Sequence, residues 1–290
     1  MNSYDDFLKN FPDLVAYKNY PMATHTTFNV GGNCDLAVFP KSAVTLKNII
    51  DHLKGNFPYC VIGNGSNVLC SDKGFRGVCI FTKHLTKITL RGNILEAECG
   101  AKLSDILKVS VDSNLSGLEF TVGIPATIGG LVAMNGGCFN KNIGDLVCYV
   151  KAEDGVYNNL QCDFNYRQSR FLEGEIILSV GLKLKVSEED IIAQKIKRFK
   201  DARGKSQPTG KSCGSVFLNQ GYFAGKVIDK AGLKGYRLGG CYVSEKHANF
   251  IINDGGKAED IYNLIKFIKE TVLNTQGIAL TEEVRYIGEF

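Results

Sequence analysis

Close pairs of metal-ligating side chains are missing from this sequence. It has ten cysteines, none of them spaced as Cys-x-x-Cys, and only four histidines. Zinc sites normally use such close pairs, so the sequence gives no support for a metal site. Several cysteines lie inside apolar runs such as YCVIG and LVCYV, which is typical of buried thiols in a reducing compartment.

Long apolar runs and clustered charge of one sign are also missing. No run approaches the roughly 20 apolar residues that span a bilayer, and the N-terminal stretch MNSYDDFLKNFPDL is too polar for a signal peptide. With 34 basic and 30 acidic side chains, the net charge of +4 is too balanced for a nucleic-acid-binding surface. These absences predict a cytoplasmic protein without nucleic-acid or membrane partners, and no obligate protein partner can be read from the sequence.

No internal repeat of about 20–50 residues occurs, which excludes solenoids and propellers. Ser42 and Ser104 are each placed to cap a helix, and apolar residues at 261, 264, 265, 268 and 272 predict an amphipathic one. A hairpin turn joins the third and fourth of the predicted strands, which are 59–62, 78–81, 88–90, 94–97, 147–152, 176–186 and 283–287.

A boundary is expected near Ser187, where another helical pattern begins. It divides the chain into two regions of α+β character, 1–187 and 188–290.

Glycine is abundant, with 32 residues, and the first glycine-rich segment is GNGSNVL at 63–69. It follows a predicted strand, but the dinucleotide-binding fingerprint needs a third glycine where Val68 stands, and no helical pattern follows. What remains is a turn whose free N–H groups can hold a diphosphate, or else a tight structural turn.

A second glycine-rich segment covers 117–144 and shows little periodicity. A loop of this length in a compact domain is usually functional, and a flat cofactor pressed against backbone would need so few side chains. A barrel corner would give the same pattern. Two such segments in one chain favour a bulky ligand that carries phosphate.

Three polar motifs lie in the second half of the chain. Arg167 in YRQSR can clamp a carboxylate, Ser215 in CGSVF can donate a proton from the start of a strand, and Glu283 and Arg285 would share one strand face. Each has an ordinary alternative: a solvated arginine, a turn serine and a surface ion pair. Ser215 is not in a G-x-S-x-G turn, so a hydrolase nucleophile is not indicated.

Taken together and in order, these motifs resemble the UDP-N-acetylenolpyruvoylglucosamine reductases over nearly the whole chain. The pieces that carry the resemblance are TTFNVGG (26–32), GNGSNVL (63–69), GLEFTVGIPATIGGLVAMNGG (117–137), YRQSRF (166–171), CGSVF (213–217), AGKVIDKAGLKG (224–235), VSEKHANFIIN (243–253) and EVRYIG (283–288).

The resemblance implies a fold and a domain arrangement. Residues 1–187 would form a vanillyl-alcohol-oxidase-like (PCMH-type) FAD-binding region of two small α+β subdomains, split near residue 80. Residues 188–290 would form a substrate-binding α+β domain, and its final strand, 283–288, would contribute to the active site. The short connection from Asn219 to Val243 resembles the form of the family that lacks an extra tyrosine-bearing loop.

The resemblance also implies a reaction, in which hydride passes from NADPH through non-covalently bound FAD to UDP-N-acetylglucosamine enolpyruvate, in peptidoglycan precursor synthesis. Arg167 and Glu283 would stabilise an enolate-like state and Ser215 would donate a proton. Substrate-binding roles are implied for Tyr166, Asn219, His247 and Arg285. The implied cofactor-binding residues are Gly63, Asn64, Gly65, Ser66, Asn67, Gly123, Ile124, Pro125, Ala126, Thr127, Gly129, Gly130, Asn135 and Gly137.

Two alternatives stay open. One is a related FAD-dependent sugar or alcohol oxidase, a class that often tethers FAD through histidine or cysteine. The other is a UDP-sugar or flavin-binding module without activity. The stretch QPTGKS before Cys213 departs from the longer aromatic stretch common in the short form. It leaves the roles of Arg203, Lys205 and Cys213 open.

Overall fold

The computed structural model describes residues 3–290, and within that range helices and strands are mixed along the chain. The helices are α1 Tyr4–Lys9, α2 Ala43–Leu53, α3 Leu103–Asp112, α4 Ile128–Ala133, α5 Glu189–Ser206, α6 Ala224–Lys230 and α7 Ala258–Gln276. The strands are β1 Val15–Pro21, β2 Asn33–Phe39, β3 Tyr59–Ile62, β4 Val68–Cys70, β5 Phe75–Phe81, β6 Ile88–Arg91, β7 Ile94–Glu98, β8 Leu115–Ser116, β9 Gly137–Cys138, β10 Lys141–Asn142, β11 Val147–Ala152, β12 Val156–Asn158, β13 Ile177–Lys183, β14 Lys185–Val186, β15 Arg237–Leu238, β16 Cys241–Val243, β17 Ile251–Asn253 and β18 Arg285–Ile287.

The chain forms two compact units, each made of separate stretches. The first unit contains the described residues up to Ala16, then Val38–Asn64 and Cys79–Arg203. The second unit contains Tyr17–Ala37, Gly65–Val78 and Gly204–Phe290. One sheet of the structure has the order β1-β2-β5-β3. Helix α5 begins just after Ser187 and belongs to the first unit as far as Arg203.

The first unit contains an antiparallel five-stranded sheet of order β12-β11-β13-β7-β6. In β7 burial alternates, with Leu95 and Ala97 buried, because successive side chains of a strand point to opposite faces. In β13 the residues from Ser179 to Leu182 are all buried, so both faces of this strand are covered. The predicted hairpin is confirmed, with Arg91 paired to Ile94 across the β6–β7 turn.

One of the two predicted serine caps is confirmed and the other is wrong. The Ser42 hydroxyl accepts the backbone N–H of Thr45 at the start of α2. The helix buries Leu46, Ile49, Ile50 and Leu53. Ser104 instead lies inside α3, whose N-cap position is Lys102, and its hydroxyl donates to Asp105. The backbone N–H of Leu103 is satisfied by the carbonyl of Ala126, so this helix starts from a tertiary contact that its own sequence does not reveal.

The glycine-rich segment 117–144 is more regular than predicted. It contains a 3-10 helix at Glu119–Thr121, then α4, then the hairpin of β9 and β10. Helix α4 has the sequence IGGLVA, so two of its six residues are glycines, and a six-residue helix is too short to show a period.

The second unit is built around α7. The predicted amphipathic face is confirmed, because Ile261, Leu264, Ile265, Ile268 and Val272 are all buried in one hydrophobic cluster. The Asp72 carboxylate accepts the backbone N–H groups of the helix's first two residues at 3.1 and 2.9 Å, which places an acid where the helix dipole favours it. A three-stranded antiparallel sheet, β15-β16-β17, and the parallel pair β18-β4 complete this unit.

Seven of the ten cysteines are buried and three are partly buried, and all ten are free thiols. This burial fits their prediction as small apolar side chains. Among the helices of residues 3–290, none is both long and apolar enough to cross a membrane.

Candidate active site

The segment 63–69 is a turn between two strands, as its sequence predicts. β3 ends at Ile62 and β4 begins at Val68, so no helix follows the glycines. Gly65 has a φ of +61°, and a Cβ on it would lie 2.0 Å from the carbonyl oxygen of His25. Only glycine fits that backbone and that close approach.

The first-unit part of this turn lies against the segment 123–127. The Asn64 amide donates to the carbonyl of Pro125 at 2.6 Å, and a Cβ on Gly63 would lie 2.2 Å from Thr127 Oγ1. A cavity of about 440 Å³ opens here, lined by four of the five residues of 123–127 together with Asn64 and by α3 residues that include Leu103. Five predicted cofactor-binding residues therefore share one cavity: Asn64, Gly123, Ile124, Pro125 and Ala126.

Thr127 carries a hydroxyl that is buried and has no hydrogen-bond partner among residues 3–290. The residue is only 5% exposed. A buried hydroxyl without a partner costs about 1–3 kcal/mol, so its presence indicates a ligand that supplies the partner.

Two neighbouring glycines of α4 have different surroundings. Gly129 is buried, and a Cβ on it would lie 2.8 Å from Cys99 Cβ and 2.9 Å from the Cys99 carbonyl oxygen. Gly130 is exposed, and the nearest atom to its Cβ position is Thr127 Oγ1 at 3.6 Å. The first glycine is needed for packing, whereas the second leaves an uncovered backbone surface.

Arg167 lies in a region of unusual backbone. Within residues 3–290, eight non-glycine residues have a positive φ, and four of them are Asn135, Phe139, Asn140 and Arg167, the last at +55°. Such residues cluster at functional sites because the surrounding structure must hold them there. The Arg167 guanidinium donates to the carbonyl of Gly137 at 2.9 Å. A residue predicted for catalysis, Arg167, is therefore in direct contact with one predicted for cofactor binding, Gly137.

Asn135 is buried, and both the nitrogen and the oxygen of its side-chain amide are hydrogen-bonded. It donates to the carbonyl of Asn165 at 2.8 Å and accepts the backbone N–H of Gly144 at 3.0 Å, so it fixes the loop rather than offering a free polar group. Tyr166 is 48% exposed, with the Arg167 guanidinium 5.2 Å from its ring centre. Both Asn135 and Tyr166 line a second cleft of the first unit, of about 1470 Å³.

Ser215 and Glu283 are brought together in the second unit by backbone pairing. The Glu283 N–H donates to the carbonyl of Val216 at 2.7 Å, and the Leu218 N–H donates to the carbonyl of Thr281 at 2.9 Å. Ser215 follows Gly214, whose φ of +81° turns the chain into this pairing. The Asn67 amide donates to the Glu283 carbonyl at 2.9 Å, so a predicted cofactor residue supports a predicted catalytic one.

Asn249 is a positioning residue that the sequence analysis missed. Its amide donates to the carbonyl of Phe217 at 2.8 Å and accepts the Phe217 N–H at 2.9 Å, while its own carbonyl accepts the Val216 N–H. Its side chain thus pairs like a strand with the residues that follow Ser215. Its place two residues after His247, inside VSEKHANF, was the available signal.

Cys213 is buried, and burial followed by the nearby Glu283 carboxylate raises the pKa of its thiol well above the usual range. The thiol therefore stays protonated and behaves as a packing residue.

The predicted substrate-binding residues of the second unit differ in setting. Asn219 is exposed, and its side-chain oxygen accepts the backbone N–H of Ala224 at the start of α6. Arg285 is exposed at the start of β18, with its N–H donating to the Asn67 carbonyl. His247 is half-buried, its ring lies 5.0 Å from that of Phe250, and burial lowers its pKa.

Comparison with known proteins identifies the family. Residues 34–155 match a family model described as an FAD binding domain, and residues 206–287 match the C-terminal domain of UDP-N-acetylenolpyruvoylglucosamine reductase. A reductase of that name from Caldicellulosiruptor bescii is 41% identical, covering 99% of this chain and 95% of the relative. The chain belongs to the UDP-N-acetylenolpyruvoylglucosamine reductase family.

Other members of the reductase family agree over the same length. The Clostridium botulinum reductase is 42% identical over 100% of this chain and 99% of its own. The crystal structure of the Thermus caldophilus reductase superposes with a TM-score of 0.81 at 32% identity, covering 95% of this chain and 99% of that one. The predicted fold class is thereby confirmed: an FAD-binding domain joined to the reductase C-terminal domain.

The residues of the first unit fit the FAD that this family uses. The FAD-domain match includes the segments 63–67 and 123–137. The unpartnered Thr127 hydroxyl, the uncovered Gly130 and the 440 Å³ cavity beside Asn64 offer a hydrogen-bond donor, bare backbone and space. These are the features that a large phosphate-bearing cofactor requires.

Proposed function

We propose that this protein reduces UDP-N-acetylglucosamine enolpyruvate to UDP-N-acetylmuramate with NADPH and FAD, in peptidoglycan precursor synthesis. The observation that carries the proposal is identity of 41% to a curated reductase over 99% of the chain. All three polar positions of the family, Arg167, Ser215 and Glu283, are present. A location in the bacterial cytoplasm is part of the proposal, since NADPH and nucleotide-linked sugars are cytoplasmic metabolites.

Bound FAD supplies the hydride-transfer chemistry between the nicotinamide and the substrate. We assign the diphosphate to the turn 63–67 and the flavin to the segment 123–137. The Thr127 hydroxyl donates to the cofactor, because it lacks any other acceptor among the described residues. FAD binding is assigned to the region 1–187 and substrate binding to 188–290.

Arg167 has the chemistry to stabilise the substrate during the reaction. Addition of hydride to the enolpyruvyl methylene places negative charge beside the substrate carboxylate, and a guanidinium can bind a carboxylate with two parallel hydrogen bonds. The contact of Arg167 with the Gly137 carbonyl fixes its direction in advance, so less side-chain freedom is lost on binding.

Glu283 acts on the same enolate-like state. A negative carboxylate would repel it, so this side chain must carry its proton or share one with a partner while it binds. Its backbone is held from two sides, by Val216 and by Asn67, which restricts the directions that its side chain can take.

Ser215 donates the proton at the substrate α-carbon. A hydroxyl is a weak acid, but transfer to a carbanion-like centre is downhill and depends mainly on positioning. The pairing of Val216 and Phe217 with Asn249 supplies that positioning.

An anaerobic spectral titration tests the proposed function. The visible band of bound FAD is expected to bleach on addition of NADPH and to return on addition of UDP-N-acetylglucosamine enolpyruvate. Return of the band only when air is admitted would contradict the proposal and favour an oxidase. Failure of the protein to bind FAD would contradict the redox reaction altogether.

A further inference from the structure

Arg203 joins two segments of the first unit that the proposed function uses. It is half-buried near the end of α5, and its Nε donates to the carbonyl of Val122 at 2.9 Å. Its Nη2 donates to Cys138 Sγ at 3.2 Å, and its guanidinium carbon lies 5.8 Å from the centre of the Phe139 ring. One planar group therefore holds a turn on one side and strand β9 on the other.

The turn at 121–126 depends on few contacts of its own. Two short-range backbone bonds shape it, from Ile124 to Thr121 and from Ala126 to Ile124. Gly123 has a φ of +76°, and a Cβ on it would lie 3.0 Å from Arg203 Cδ. The aliphatic part of the Arg203 side chain thus lies against Gly123, and its guanidinium group binds the carbonyl of Val122.

The two residues of strand β9 contact different arginines: Cys138 binds Arg203, and Gly137 binds Arg167. Cys138 Sγ donates to the Phe120 carbonyl at 3.1 Å, and the adjacent Gly137 carbonyl accepts the Arg167 guanidinium. Burial raises the pKa of Cys138, while the charges of Arg203 and Arg167 both lower it, so both guanidinium groups act on this one sulfur. The positive charges of Arg203 and Arg167 are therefore both close enough to Cys138 to affect its thiol.

We propose that Arg203 is a positioning residue that holds the turn 121–126 and strand β9 together, so that the FAD-lining segment and Arg167 are ordered before ligands bind. The inference rests on the proposed function, because it takes the FAD-lining and catalytic assignments from it. Arginine suits this task because its planar fork donates in two fixed directions, whereas lysine is a single point charge.

Three variants test the role of Arg203. Arg203→Met keeps the length of the stem but removes both donors, and Arg203→Lys keeps the charge with a single donor. Lys200→Met is the matched control, since Lys200 is an exposed base of the same helix with no hydrogen bond or ion pair within residues 3–290. Each variant is measured as apoprotein titrated with FAD, by thermal unfolding and in both anaerobic half-reactions.

We expect the FAD dissociation constant of Arg203→Met to rise about tenfold to a hundredfold, with Arg203→Lys between it and wild type. The half-reaction with the enolpyruvyl substrate, which uses Arg167, should slow by a further factor of about ten relative to the half-reaction with NADPH. The control should match wild type in every measurement.

Equal slowing of the two half-reactions, or a loss of FAD binding that merely follows a fall in Tm, would overturn the inference in favour of a structural role. If Arg203→Met does not fold, the ratio of the enolpyruvyl half-reaction rate to the NADPH half-reaction rate in Arg203→Lys tests the inference instead. The wild-type protein separates this inference from the proposed function. If it binds FAD and performs both half-reactions while the variants equal it, only the role of Arg203 is wrong.

Discussion

The two units present their candidate site residues in different ways. In the first unit the site is largely backbone: glycines without side chains, residues with positive φ such as Arg167, and the unpartnered Thr127 hydroxyl. In the second unit Ser215 and Glu283 lie next to an isolated β-bridge between Phe217 and Glu282, beside a hydrophobic core around α7. The candidate site of the first unit therefore combines bare backbone with the Arg167 guanidinium, whereas that of the second unit combines a hydroxyl and a carboxyl group. We expect changes of glycine to affect ligand binding in the first unit, and changes of Ser215 to affect the reaction itself.

The largest effect is expected from Ser215→Ala. Loss of the proton donor should slow the half-reaction with the enolpyruvyl substrate about 100- to 10,000-fold, the usual contribution of a positioned acid. Bleaching of FAD by NADPH and the Tm should stay at wild-type values, because the hydrogen bonds that hold this segment are made by the backbone of Val216, Phe217 and Leu218. Stopped-flow absorbance measures both steps. Rapid return of the FAD band with substrate would rule out Ser215 as the donor.

Gly129→Ala and Gly130→Ala compare two kinds of glycine on one helix. The first places a methyl group 2.8 Å from Cys99 and should lower the free energy of unfolding by about 1–3 kcal/mol. The second meets no atom closer than 3.6 Å, so the apoprotein should keep its stability or gain slightly, while FAD binding weakens. Urea unfolding and FAD titration of both variants provide the measurement. Unchanged FAD affinity in Gly130→Ala would mean that the cofactor does not cover this surface.

Thr127→Val should separate ligand binding from stability. Removing an unpartnered buried hydroxyl should leave the apoprotein as stable or more stable, yet weaken FAD binding about tenfold. Thr121→Val is the contrast, because the Thr121 hydroxyl already donates to the Leu118 carbonyl at 2.7 Å. That variant should lose about 1 kcal/mol of unfolding free energy. If Thr127→Val is instead the less stable of the two, the hydroxyl has an internal role.

The smallest effect is a pH dependence centred on His247. Burial, reinforced by the charge of Lys234, lowers its pKa below the ordinary 6.5. The unfolded chain therefore binds the proton more readily, so this contribution to stability is complete above about pH 6.5 and declines as the pH falls below it. His247→Gln should flatten the curve of unfolding free energy against pH in that range. If the curve of His247→Gln equals that of the wild type, the pH dependence of stability comes from a group other than His247.

The sequence predicted best where one segment determines its own structure. The face of α7 and the hairpin of β6 and β7 follow from apolar spacing and turn residues, and both are confirmed. The prediction that Ser104 caps α3 was wrong. The backbone N–H of Leu103, at the start of α3, donates instead to the carbonyl of Ala126, which is distant in sequence. Helix α4 was missed because it is short and rich in glycine.

The residues of the candidate site stay a prediction from the sequence, and their geometry could not be predicted at all. The motif order supplied Arg167, Ser215 and Glu283. The positive φ of Arg167 and its contact with Gly137 depend on the fold of the 135–140 segment, which has no periodic pattern. The role of Asn249 was hidden for the same reason, since its partner Phe217 lies 32 residues earlier in the chain.

The interleaved composition of the two units constrains the order in which the chain can fold during synthesis. Strand β4 pairs with β18, and the hydroxyl of Ser71 donates to the carbonyl of Glu289, 218 residues later. A nascent chain therefore emerges from the ribosome with a strand whose partner is translated much later. Until then the apolar face of this strand must be shielded by other means, and stalled or shortened chains are expected to be the forms that chaperones and proteases recognise.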